Sequence, residues 1–109
     1  MLAYRSRGPE MKLMIGLVRR PDMTHEEFAQ WWLEEHAPLA RTLPNVQRIR
    51  FNLVDGEGPF DGIAELWFES EDAMAESYGS DIGKAVAADS MAHVEARVRM
   101  PVAEHVIHG

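Results

Sequence analysis

The run Met-Lys-Leu-Met-Ile-Gly-Leu-Val at residues 11–18 constrains the fold of this 109-residue chain more than any other segment. It is almost wholly apolar and does not alternate, so it reads as a strand buried on both faces. Such a strand needs cover above and below. The ten residues before it show no usable periodicity and are expected as a flexible arm. Residues 11–109 are expected as one domain, a length that supports one core and not two.

The rest of the chain supplies cover for one of those faces. After a turn containing Pro21, Thr-His-Glu-Glu at 24–27 is a capping box, with the threonine capping the first amides and Glu27 reaching back. It launches a helix over 24–36 that is expected to stop there, because Pro38 disfavours helical geometry at Ala37. A further short turn through Leu43 is possible before Pro44. Residues 46–54 alternate, with Ile49, Phe51 and Leu53 on one face and Arg48, Arg50 and Asn52 on the other, which is a strand. A loop at 55–59 is short enough for a hairpin into a third strand over 61–69. Ser70 caps a second helix, which Gly79 and Ser80 interrupt and which resumes from Asp81 to about Ala92. A last strand is expected over 98–107, with Pro101 forcing a bulge or an edge position.

Strand, helix, strand, strand, helix, strand is the order of an α+β, ferredoxin-like domain: a four-stranded antiparallel sheet with helices on one face. Two helices cover one face only. The other would leave a patch beyond the few hundred Å2 a monomer exposes. A homodimer in which two sheets pack into one α+β barrel, related by a twofold axis, is the expected cover.

Composition narrows the function classes. Hydrophobic residues at 46% and charged residues at 27% describe an ordinary globular chain. A net charge of -7 argues against nucleic acid and against anionic membrane surfaces as partners. No apolar run approaches the ~20 residues that span a bilayer, and no signal-peptide pattern is read, so the cytoplasm is the expected compartment. With no cysteine there is no disulfide, no thiolate catalysis and no cysteine-ligated metal.

The residues that carry chemistry concentrate in Phe-Ala-Gln-Trp-Trp-Leu-Glu-Glu-His-Ala-Pro at 28–38. At about 100° per residue, Phe28, Trp32, Glu35 and Leu39 share one side of a helix, flanked by Trp31 and His36. An ionisable pair, Glu35 and His36, thus lies along the stripe that should pack on the core, where it must be satisfied or used.

At this point the chain resembles the EthD-type proteins of the dimeric α+β barrel superfamily. The residues that carry the likeness are Val-Arg-Arg-Pro ending the first strand, His-Glu-Glu-Phe opening the helix, Trp-Leu-Glu-Glu-His-Ala-Pro ending it, and Asp-Gly-Ile-Ala-Glu-Leu-Trp-Phe in the third strand. Superfamily relatives include muconolactone and methylmuconolactone isomerases, cofactor-independent monooxygenases, haem-degrading enzymes and polyketide cyclases. The resemblance implies a barrel without cofactor acting on a small, hydrophobic, carbonyl-bearing ring compound, as an isomerase, a dehydratase or cyclase, or a monooxygenase. It carries over one polar residue, the histidine of Glu-His-Ala-Pro, here His36, as general acid/base. A mechanism using a thiol cannot operate here. The asparagine–tryptophan–histidine set of the haem-degrading relatives is not matched, because Asn52 and Trp67 stand in another context.

Each candidate has two readings. His36 is either a helix-end histidine satisfying free carbonyls or a proton-transfer group balanced between the helix dipole and burial. Trp31, Trp32 and Trp67 are core aromatics or walls of an aromatic pocket. Trp32 belongs to the core, while Trp67 and Phe28 are the better pocket walls. Glu65 shares a face with Trp67 and with Arg48 and Arg50, as a structural ion pair or as an anion or carbonyl anchor. Tyr78, near the helix break, is packing or a hydroxyl offered to a ligand. Asp61 is a turn former or a base. The remaining histidines have no paired-ligand spacing, so no metal is expected. A non-catalytic barrel that binds a hydrophobic metabolite or a partner protein is the alternative function, and haem binding a third option.

Overall fold

The computed structural model describes residues 10–109, and the arm expected over the first ten positions lies, apart from Glu10, outside them. The elements run β1 (Met11–Arg19), α1 (residues 25–40), β2 (Val46–Leu53), β3 (Gly62–Phe68), α2 (Glu71–Gly79), α3 (Asp81–His93) and β4 (Val94–Val102). The sheet order is β2-β3-β1-β4, and every neighbouring pair is antiparallel. This is the ferredoxin-like α+β arrangement, with β1 and β3 central.

Side-chain caps place the helices. Thr24 Oγ1 accepts from the Glu27 amide at 3.1 Å, and Glu27 Oε1 accepts from the Thr24 amide at 2.8 Å. Ser70 caps α2 through the Ala73 amide, and Ser80, in extended geometry, ends α2 and caps α3 through the Gly83 amide. A Cβ at Gly83 would lie 2.1 Å from the Ser77 carbonyl, so this sharp junction needs a glycine.

Leu13, Ile15 and Leu17 of β1 face the helices and join Ala64, Leu66 and Phe68 of β3 in the core with Phe28, Trp31 and Trp32. The alternate residues form the second sheet face. There Met14 lies between Glu65 and Met100 in register, and Gly16 between Ile63 and Val98.

Two boundaries differ from the sequence expectation. The first helix does not stop at Pro38. Its middle turn, Trp31–His36, is a π-helix in which the Ala37 amide reaches the Trp32 carbonyl, and α-helical geometry resumes over Ala37–Ala40. A proline inside a regular helix loses a bond and collides with the carbonyl four residues back. A widened preceding turn eases the collision, and the Ala37 amide, not Pro38, makes the bond five residues back. The last strand covers Val94–Val102 rather than 98–107. Pro101 is tolerated because β4 is an edge strand, while the register shift between β1 and β4 falls away from it, at Glu95, which β4 inserts between the Val18–Ala96 and Arg19–Val94 pairs.

Candidate functional site

The π turn changes which residues α1 buries. Bonding to the fifth residue back puts more residues in a turn, so each advances through a smaller angle than in an α-helix. The register slips, His36 falls in line with Trp32, and Glu35 is carried outward. His36 is 4% exposed, whereas Glu35 is exposed, so the expected buried Glu35–His36 pair does not form.

The partner of His36 comes from α3. Its Nδ1 lies 2.8 Å from Asp89 Oδ2, and Ser90 Oγ lies 3.3 Å from its Nε2. The same Asp89 oxygen accepts from Trp31 Nε1 at 3.2 Å. His93 stacks on Trp31 with centroids 4.6 Å apart and donates from Nδ1 to the Asp89 carbonyl. A carboxylate can only accept, so Nδ1 of neutral His36 carries the proton and Nε2 presents a lone pair. Burial pushes the His36 pKa below the ordinary 6.5, against the raising effect of Asp89, and Arg97 and His93 add to the lowering. Near neutral pH the ring is uncharged, fixed in one tautomer, and able to take a proton at Nε2.

Nε2 and Ser90 face a small cavity between the sheet and the helices, walled by Ile15, Leu17, Trp32, Phe51, Leu66 and Val86. Tyr78 and Arg97 are its other polar residues. The cavity measures about 20 Å3, room for a single water. Trp32 stacks on Phe51 at 4.3 Å and 8° along one wall. Its benzene edge lies against Gly62, where a Cβ would approach to 2.6 Å. Burial raises the Tyr78 pKa, against Arg97 and Arg99, so the hydroxyl keeps its proton.

The sequence candidates therefore divide. Tyr78 shares the cavity with His36. Trp31 holds Asp89 from behind and opens on a separate surface groove with Glu35 and His93. Phe28 is 1% exposed and packs against Trp31 and Trp32, a core residue rather than a pocket wall. Trp67, Glu65 and Arg48 stand on the opposite face of the sheet. Lys12 bridges Glu65 at 2.9 Å and Glu104 at 3.3 Å, Trp67 Nε1 donates to Glu104, and the guanidinium groups of Arg48 and Arg50 lie over the Trp67 ring at 4.9 and 5.7 Å. Asp61 accepts from the Arg19 amide and sits 3.4 Å from His25, tying β1 to the β3 entry.

Asp89, Ser90 and Arg97 escaped the sequence reading. One signal was available: Gly83, Val86 and Ser90 recur at helical spacing along α3, which puts a serine on a buried stripe. Arg97 fell outside the expected strand. Among the described residues no group of three or more potential ligands is placed to hold a metal, and no helix is long and apolar enough to cross a membrane.

Comparison with known proteins places this geometry in a family. Residues 20–96 match the EthD domain. No curated protein matches the chain. Among solved structures, an EthD family protein of Bacillus halodurans superposes with a TM-score of 0.77 at 23% identity, over 87% of this chain and 99% of that one. A dimeric ferredoxin-like protein of unknown function from Thermobifida fusca superposes with a TM-score of 0.73 at 15% identity, over 92% and 95%. SnoaB, a cofactor-independent oxygenase from Streptomyces nogalater, superposes with a TM-score of 0.69 at 12% identity, over 92% and 98%. The chain belongs to the EthD domain family.

Proposed function

We propose that this EthD domain is a cofactor-independent enzyme in which His36 moves a proton on a hydrophobic, carbonyl-bearing ring compound. The observation that carries the reading is the 2.8 Å contact of Asp89 with Nδ1 of a buried imidazole that lines the cavity and whose Nε2 lies 3.3 Å from the Ser90 hydroxyl. A base must be neutral at the working pH and must offer its lone pair in a fixed direction. Burial supplies the first condition and Asp89 the second. When Nε2 takes a proton from carbon, Asp89 offsets the charge that appears on the ring, and the enolate collects density at its oxygen. Return of that proton to another carbon is isomerisation and loss of hydroxide as water is dehydration; addition of O2 to the carbanion gives a hydroperoxide, and loss of water from it, with a second C–H of the same carbon, leaves a carbonyl, a monooxygenation in which the substrate supplies the electrons. The substrate is small and the compartment is the cytoplasm, as composition and family suggest.

The assembly we propose is a homodimer. Val98 and Met100 on the second sheet face are 41% and 43% exposed beside Met14 and Ile63, and the Thermobifida fusca relative is described as dimeric. A twin molecule covers this surface without altering the helix side.

The test is solvent-deuterium exchange at acidic C–H positions of a panel of lactones, quinones and cyclic 1,3-diketones, followed by NMR. Exchange accelerated by the protein and lost in a folded His36→Ala variant supports the role. Equal exchange in that variant overturns it. Saturable ligand binding with no exchange, indifferent to His36, marks the non-catalytic barrel instead.

A further inference from the structure

The cavity facing His36 is also lined by a cation that has no carboxylate partner among the described residues. Arg97 projects from β4 on the helix side of the sheet, opposite Leu17 in register, and lines the cavity with His36, Ser90 and Tyr78. Tyr78, a phenol, and Arg99, a second cation, are the titrating neighbours that act on its guanidinium, and Arg97 in turn acts on His36. The Nε–H is buried and meets no acceptor among the described residues.

Arg97 is half-buried, and a guanidinium taken even partly out of water is ordinarily paired, because its desolvation is costly. This chain is rich in carboxylates, with a net charge of -7, and it pairs Lys12 on the other sheet face twice over. The site's own carboxylate, Asp89, is already bonded by Trp31 and His36 on the Nδ1 side of the ring. A second donor is stranded as well. Trp32 lines the cavity and its indole N–H is buried without a partner. Two side chains that line one cavity thus each hold a buried N–H without an acceptor among the described residues, and a guanidinium edge made of Nε and one Nη matches the two oxygens of a carboxylate.

We infer that Arg97 is the anchor for a carboxylate on the ring compound, so that the substrate is an acid and not a neutral lactone or quinone. The inference rests on the reading of this cavity as the substrate site. Because the space measures about 20 Å3, the anchor is the preformed part, and room for the ring is made on binding.

The experiment titrates the full chain with benzoate and with its neutral counterpart benzamide. The readouts are the Arg97 Nε–H resonance in 15N-labelled protein and tryptophan fluorescence. Benzoate is expected to shift the Arg97 resonance saturably and to bind at least tenfold tighter than benzamide. Arg97→Gln is expected to abolish that preference and Arg97→Lys to keep part of it, with circular dichroism confirming the fold. Should Arg97→Gln not fold, a preference weakened in Arg97→Lys decides in favour. Equal binding of acid and amide, absence of binding, or a preference untouched by either variant overturns the anchor. The His36→Ala protein separates this inference from the enzymatic reading, since it should still select benzoate. Selection by Arg97 with His36-independent exchange removes the base and leaves the anchor, and the converse removes the anchor alone.

Discussion

His36 and Asp89 are 53 residues apart in sequence and 2.8 Å apart in space, and this contact ties the end of the π turn to the middle of α3. Its consequence is a fixed tautomer. Asp89→Asn keeps the shape but offers an amide that can donate to Nδ1 and so turn the lone pair away from the cavity. Proton-transfer activity should fall by about 10²–10⁴-fold, the range that general acid–base catalysis supplies. Asp89→Glu should retain more activity than Asp89→Asn. The exchange assay on folded variants reads the difference, and an Asp89→Asn protein of undiminished activity would show that Asp89 does not orient the base.

Activity should also depend on pH in one direction. The groups that face His36 are Asp89, His93 and Arg97, and burial, the strongest influence, holds the imidazole below its ordinary 6.5. The basic form therefore persists through neutrality, and the rate should be flat above pH 6.5 and fall only below it. Stability carries the same sign. A histidine with a depressed folded pKa contributes stability that is present above the unfolded value and lost as pH falls through the folded one. Urea midpoints should be level above pH 6.5 and drop on acidification, more steeply in the wild type than in His36→Gln. A His36 resonance titrating above 6.5 would contradict both expectations.

How far the sequence spoke depends on the range of the interaction concerned. Alternation in β2, the apolar run of β1, the Thr24 and Ser70 caps and the helix break at Gly79 and Ser80 are decided within a few residues, and the structure follows them. Pro38 was misread for a physical reason. Proline cannot donate and crowds the carbonyl four residues back, yet a π turn just before it lets the helix continue, and nothing local announces that choice. The choice then fixed the phase of the helix, which exchanged Glu35 for His36 on the buried side. Asp89, Ser90 and Arg97 became site residues only through tertiary apposition of α3 and β4 with α1, and periodicity within one element says nothing about what faces it.

Gly62 sets how closely Trp32 approaches the sheet. A methyl group there would stand 2.6 Å from the Trp32 ring, which is clamped on its other side by Phe51 at 4.3 Å. Gly62→Ala should therefore destabilise by about 1–3 kcal/mol, the usual cost of overpacking a filled core. The urea midpoint should fall with little change in slope. Because Trp32 walls the cavity, near-ultraviolet circular dichroism should change as well. A neutral Gly62→Ala would mean that the indole has room to retreat.

The second sheet face yields the last prediction. Met14, Ile63, Val98 and Met100 lie together on it, and two of them are more than 40% exposed. At roughly 25 cal/mol per Å2, wetting a surface of several such side chains forgoes a few kcal/mol that a second subunit would recover. The cluster of Lys12, Glu65, Arg48 and Arg50 around Trp67 borders the apolar patch, with Lys12 paired to Glu65 and both guanidinium groups laid over the indole. Light scattering at micromolar concentration should give twice the 12.3 kDa chain mass. Val98→Glu should shift it toward 12.3 kDa by placing a carboxylate of each subunit in the apolar contact. His36 faces the other side of the sheet, so its titration in the monomeric variant should match that in the wild type. A wild-type mass of 12.3 kDa would leave this face bare, and would mean that the apolar run of β1 has no second cover.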